Sequence, residues 1–314
     1  MLPIAMVTGA SIYLIYHFMP EPVHCVGPIL EGTLSVVQPM LIFLMLFLTF
    51  CRIEPRELRP HRWHWWLLLI QGGFFTLLGL AAAVLVGLVP DGEEAYIVLI
   101  ESAMLCMICP TATAAAVVTR KLGGDVAGIT SYTILINILT ALLVPLIVPL
   151  VRPLSGLGFW SSFSMIMAKV FPLLIMPCLA AWLVRYLAPR LHRRLLRNPD
   201  LPFYIWAVAL TLAIAVSVRY LVNSTLSGWM LVAMAAVSLV CCAFQFAAGK
   251  FVGGRYREDK RITAGQALGQ KNTVFVIWVG YTFMTPETAM IGGLYSIWHN
   301  IYNSWQLRRA GKTR

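Results

Sequence analysis

Charged residues are scarce in this chain: 12% of its 314 positions are Asp, Glu, Lys or Arg, and 59% are hydrophobic. A soluble domain carries roughly a quarter of its residues charged, so the composition excludes a globular protein of the aqueous phase. No polar joint is long enough to hold a soluble domain, and residues 1–314 read as a single transmembrane domain. Metal-ligand spacings such as His-x-x-x-His are missing, as is any paired acid–base constellation. No catalytic residue, metal or cofactor is therefore expected. Of the seven cysteines, Cys25, Cys51, Cys106, Cys109, Cys178, Cys241 and Cys242, most lie inside apolar segments without paired loop spacing, which argues against a disulfide framework. Acidic side chains are in deficit, 13 against 24 Lys and Arg, leaving a formal charge of +11. That excess falls in the joints between hydrophobic segments rather than in one patch or tail, so membrane lipid is an expected partner and nucleic acid is not.

Segments of roughly 20 apolar residues, enough to cross about 30 Å of hydrocarbon, recur at 2–19, 33–51, 64–89, 96–120, 126–151, 161–187, 201–222, 227–250, 262–285 and 288–307. These are ten candidate spans of an all-α integral membrane protein. Residues 3–18 have no basic n-region before them and no small-residue cleavage site after them, so they read as the first membrane helix rather than a signal peptide. Charge in the joints alternates. Arg52, Arg56, Arg59 and Arg62 fall on one side, followed by Arg120 and Lys121, then Arg185, Arg190, Arg193, Arg194 and Arg197. Lys250, Arg255, Arg257, Lys260 and Arg261 join them, with Arg308, Arg309, Lys312 and Arg314 at the end. The other side has only Arg152 and Arg219, with Glu21, Asp91, Glu93, Glu94 and Glu287. The positive-inside rule places the basic side and both termini in the cytoplasm, in a multi-pass protein of the cell (inner) membrane. Trp63, Trp65 and Trp66 beside Arg62 read as an interfacial aromatic belt.

Two spans are interrupted. Gly269-Gln270-Lys271-Asn272-Thr273 is a polar knot inside the ninth, and Cys109-Pro110-Thr111-Ala112-Thr113 lies near the middle of the fourth. A single break at Pro110 would be an ordinary packing kink. Breaks in two corresponding spans mark a transporter site at the bilayer midplane. Ten spans then divide into a five-plus-five inverted repeat, 1–155 and 156–307, with 308–314 a basic tail. An odd number of spans per half makes the discontinuous helices 4 and 9 run oppositely and cross. Breaking a helix frees backbone N–H and C=O groups that must find new partners, and free N–H groups at a half-helix start favour an anion. Lys271 lies about nine residues into its span, roughly 13 Å deep. A charge at that depth is a functional-site candidate by default.

The chain resembles the bacterial branch of the bile acid:sodium symporter family, within the group that also holds arsenite and auxin carriers. The resemblance rests on Cys109-Pro110 followed by Gly124-Asp125-Val126-Ala127, on Gln270-Lys271-Asn272-Thr273, and on Ser296-Ile297-Trp298-His299-Asn300. It implies a core of spans 3–5 and 8–10 around the crossing, a panel of spans 1, 2, 6 and 7, and transport by rocking of one against the other. It also implies that Thr113, Asn272, His299 and Asn300 face an organic-anion substrate; with Thr111, Lys271 and Thr273 at the breaks they form the expected binding set. Gln71 matches a glutamine of a sodium site. The other ion positions depart from the family pattern: Ala115 and Ala116 replace a Ser-Asn pair, Ile129 replaces a serine, Ala267 replaces a shared glutamate and Lys271 replaces a glutamine, while Thr133 alone keeps its oxygen. A shift of one residue would align Gln266 and Gln270 with the lost pair without restoring negative charge. Sodium needs several oxygen ligands, so both sites are read as degenerate and sodium as not required.

One lysine without the glutamate leaves the same local charge as two sodium ions with it, about +1, which makes Lys271 a built-in substitute for the ions. Lys169 in the panel is read as snorkelling outward, Glu101 as facing external water, and His299 as divided between packing and ligand roles. The expected function is secondary transport of a small organic anion, a carboxylate or bile-acid-like solute, independent of sodium and coupled to protons or to exchange. Two other readings stand beside it: an arsenite-type metalloid carrier, prompted by Cys109 at the break, and a transport-inactive membrane sensor. Substrate identity, direction and oligomeric state are not legible.

Overall fold

The structure is a computed structural model that describes residues 2–19, 27–88, 94–154, 156–198, 201–224 and 226–312. Glu21, Cys25, Asp91, Glu93 and Arg314 lie outside them, as do the side chains of Glu94 and Lys312. It is all-helical. The thirteen α-helices among the described residues are α1 Leu2–His17, α2 Gly27–Cys51, α3 Arg62–Leu88, α4 Glu94–Ile108, α5 Ala115–Leu122, α6 Val126–Val151, α7 Phe159–Leu187, α8 Pro189–Leu196, α9 Leu201–Val222, α10 Gly228–Gly254, α11 Glu258–Gly269, α12 Thr273–Phe283 and α13 Pro286–Lys312. A 3-10 turn, Pro55–Glu57, follows α2. Six helices (α2, α3, α6, α7, α9 and α10) are long and apolar enough to cross a bilayer, while α1, α4 and α12 are apolar but shorter. In hydrocarbon a backbone must satisfy its own polar groups; among the described residues no strand forms.

The interruptions expected at the fourth and ninth spans are true breaks, 109–114 between α4 and α5 and 270–272 between α11 and α12. Unforeseen in the sequence is α8, an amphipathic turn of Pro-Arg-Leu-His-Arg-Arg-Leu-Leu. Pro189 opens it with its preset φ, and buried His192 pins it, its Nε2 lying 2.8 Å from the Cys51 carbonyl at the end of α2.

Helix packing forms two groups, joined where α6 packs on α7 and α9 on α13. In one, α1 packs on α9, and α2 packs on both α7 and α9. In the other, α3, α4 and α6 pack together and α10 joins α4, α11 and α13. Small residues permit the closest approach: a Cβ at Gly249 or Gly253 of α10 would lie 2.2 Å from the carbonyl oxygen of Ala264 or Lys260 in α11. Such small-residue seams replace hydrophobic driving force between helices in lipid.

Glu101 corrects its reading as water-facing. It is fully buried in α4, and its Oε1 accepts a 2.6 Å hydrogen bond from Arg152 Nε just beyond α6. Hydrocarbon does not solvate a carboxylate, so the arginine from the joint folds inward to neutralise it.

Candidate functional site

The two breaks lie against one another. Thr111 and Lys271 form an isolated antiparallel bridge, in which the Ala112 N–H donates to the Gln270 carbonyl at 2.8 Å and the Asn272 N–H to the Pro110 carbonyl at 2.9 Å. Each extended segment thereby answers part of the other's loss of helical hydrogen bonds.

The carbonyls at the C-terminal end of α4, orphaned by the break, are met by side chains from four other segments. Gln245 Nε2 donates to Cys106 O at 3.2 Å, Lys271 Nζ to Met107 O at 3.5 Å, Thr140 Oγ1 to Ile108 O at 3.0 Å and Gln71 Nε2 to Cys109 O at 2.8 Å. Tyr132 completes the set by donating to Gln71 Oε1 at 2.9 Å. At the end of α11, Thr111 Oγ1 donates to Ala267 O at 2.8 Å and Tyr295 Oη to Gly269 O at 2.9 Å. A helix C-terminus carries partial negative charge. Here Lys271 Nζ and neutral protein donors occupy that end.

A cavity of about 890 Å³ opens beside the crossing, within the size range of small-molecule sites. Thr113, Gln270, Asn300 and Asn303 line its polar part, Val117, Val126 and Trp206 belong to its apolar wall, and Arg52, Arg120 and Lys121 lie among its lining residues. Glu54, the acid in that lining, is engaged with Arg185 at 3.0 Å. Gln270 and Asn303 are 3% and 5% exposed; Gln270 Oε1, Asn303 Nδ2 and Thr113 Oγ1 have no hydrogen-bond partner among the described residues. Buried polar atoms left unpaired cost about 1–3 kcal/mol each. They are natural contacts for a ligand.

Of the residues expected from the sequence, Thr113, Ala116, Gln270 and Asn300 line this cavity. Lys271, 1% exposed, lies one residue behind it. Asn272 is 3% exposed with Nδ2 unpartnered, and Thr273 opens α12. His299 packs edge-on against Tyr295 with ring centroids 5.7 Å apart. Thr111 and Gln71 hold helix ends, and Thr133 donates to its own helix at Ile129 O, 2.8 Å. Ala115 and Ala267 are buried. Sequence reasoning missed Asn303, which accepts from Gln266 at 3.0 Å, as well as Gln245, Thr140, Tyr132 and Tyr295. Their signal was present as amides and hydroxyls inside apolar spans, but only the fold says which orphaned carbonyl each one reaches.

At the basic end, Lys260 of α11 pairs with Asp125, which precedes α6, and Thr263 Oγ1 accepts from the Asp125 N–H at 2.7 Å. Burial pushes the Asp125 carboxyl up, but the hydrogen bond and charge of Lys260 outweigh it and hold the group below the usual carboxylate range.

Comparison with known proteins gives one match across nearly the whole chain: residues 4–308 fit the sequence model of the SBF-like CPA transporter family. No curated protein matches.

Proposed function

The chain belongs to the SBF-like CPA transporter family, and from that premise we propose that it is a secondary carrier for a small organic anion, bound in the cavity beside the crossing. The observation that carries this reading is the pairing of the buried Asn303 Nδ2 and Gln270 Oε1, each without a hydrogen-bond partner among the described residues, with lining cations Arg52, Arg120 and Lys121 in one apolar-walled space. A carboxylate would accept hydrogen bonds from Asn303 Nδ2 and Thr113 Oγ1, its field balanced by the cations and by Lys271 behind them. The architecture belongs to the same reading: ten spans in a five-plus-five inverted repeat, the set containing α1, α2, α7 and α9 moving as a panel against the rest, and the basic face cytoplasmic.

Sodium is not required in this mechanism. Cys106, Met107, Ile108 and Cys109 already have protein donors on their carbonyls, which leaves a cation little to coordinate. Lys271 supplies the positive charge. Coupling is then to a proton carried by Lys271 or to counter-exchange. The metalloid reading is less well supported, since the Cys109 thiol is fully buried and donates to Asn272 O at 3.0 Å away from the cavity lining.

The test is uptake into proteoliposomes from a panel of labelled carboxylates, in sodium or choline at constant ionic strength. Saturable uptake equal in both salts is expected. Steep dependence on sodium would overturn the ion-free mechanism, and absence of uptake for every carboxylate would favour the sensor reading.

A further inference from the structure

A second cavity, of about 730 Å³, lies between α2, α7 and α12 and shares no lining residue with the first. Its three walls are graded alike. Towards the start of α7 and the end of α12 stand Lys169 and the Tyr281 and Thr282 hydroxyls; deeper along the same helices lie Leu173, Met176 and Trp278, faced by Met40 and Phe43 of α2. Lys169 sits about ten residues into α7, or about 15 Å by helical rise, yet its ammonium lies 5.7 Å from the ring centroid of Phe283, the last residue of α12. The stem thus carries the charge towards the membrane face opposite the basic joints. No acidic partner for Lys169 occurs among the described residues, and Tyr281 Oη and Thr282 Oγ1 are buried beside one another with no other hydrogen-bond partner among those residues. Met40 and Met176 are 51% and 44% exposed, so the groove opens sideways towards lipid.

We infer that this groove binds a single-chain carboxylate amphiphile from the leaflet opposite the basic face, its head on Lys169, Tyr281 and Thr282 and its tail along Met40, Met176 and Trp278. One ammonium and two hydroxyls match one carboxylate. The volume falls in the range of a single drug-sized ligand, and the polar-to-apolar gradient on three helices fixes the orientation. A carboxylate amphiphile lies in a bilayer with its head at the interface and its chain inward, so it enters the groove already aligned.

Brominated stearate tests this, because bromine quenches tryptophan at contact and Trp278 lines the deep end. The full chain in zwitterionic lipid is titrated with 9,10-dibromostearate, with its methyl ester, and with a brominated two-chain phosphatidylglycerol. Saturable quenching by the acid alone is expected, with its saturable part lost in Trp278→Phe. Lys169→Gln should weaken it about tenfold or more, the scale of a hydrogen bond to a charged group, and Lys169→Arg should restore it. Equal quenching by the ester would mean bulk partitioning, Lys169-dependent quenching by the phosphatidylglycerol would mean a two-chain lipid, and unchanged affinity in Lys169→Gln would mean no head-group site. Each of these overturns the inference.

Discussion

Replacing Lys271 by Met keeps the length of the stem and deletes the charge, which makes it the sharpest probe of the crossing. Two effects on stability oppose one another. The mutation removes the donor to Met107 O and the cation at the end of α4, a loss of about 1–3 kcal/mol. It also removes the cost of holding a 1% exposed ammonium away from water, several kcal/mol in other buried sites. The melting temperature should therefore stay close to that of the parent. Anion binding has no such offset. Gln270 lines the cavity and Lys271 follows it, so the separation of a bound carboxylate from the charge is taken as about 8 Å, two residue lengths. At an effective dielectric of about 20 that separation is worth about 2 kcal/mol, roughly thirtyfold in affinity. The assay is calorimetric or thermal-shift titration of purified parent and variant with the strongest carboxylate from the transport panel, repeated across pH. Proton coupling predicts that parent affinity falls with rising pH and that the variant is pH-flat; a permanently charged Lys271 predicts a pH-flat parent as well. A folded variant that binds like the parent throughout would refute the electrostatic argument and leave Lys271 as a helix cap alone.

Gln270→Leu keeps the bulk but removes both hydrogen-bonding atoms from the cavity lining; carboxylate affinity should fall about tenfold, and full retention in uptake assays would take Gln270 out of the site. Because the Asp125 pKa lies below its ordinary value, its ionic contribution is complete above about pH 4 and is lost as pH falls further. Thermal melts from pH 7 to pH 3 should show an acid decline that Asp125→Asn flattens while lowering stability at neutral pH by about 1–3 kcal/mol, and an unaltered profile in the variant would remove the Lys260 pair as its cause. Gly249→Val drives a branched side chain into the Ala264 carbonyl, for which a Cβ is already too close at 2.2 Å. Overpacking costs about 1–3 kcal/mol or more, so the variant should melt earlier or aggregate by size exclusion, and a normal melt would mean that α10 and α11 can part without loss.

The residues determine class and position along the chain. Runs of apolar residues can be stable in only one environment, and within it a backbone has almost only the helix available, so most helices follow directly from composition. The breaks at Pro110 and Lys271 were equally legible, because proline and a deep charge each contradict an uninterrupted hydrophobic helix. The short α8 was not: eight residues with three arginines look like a joint until His192 reaches the end of α2.

Pairing is what the tertiary structure alone decides. Glu101 and Arg152 are 51 positions apart, and nothing in either neighbourhood names the other; only the packing of α4 beside the end of α6 turns a water-facing reading into a buried ion pair. Gln71 matches a sodium ligand by position, yet its amide donates to the Cys109 carbonyl, a role set by the distance between two helices rather than by residue type. Lys271 could be recognised as important from depth alone. Whether its charge faces the cavity or a helix end depends on where the stem points, and that is settled by the Thr111 bridge and the Met107 carbonyl. Sequence counts charges and hydrogen-bonding groups along a line, whereas their energies depend on separation and burial in three dimensions.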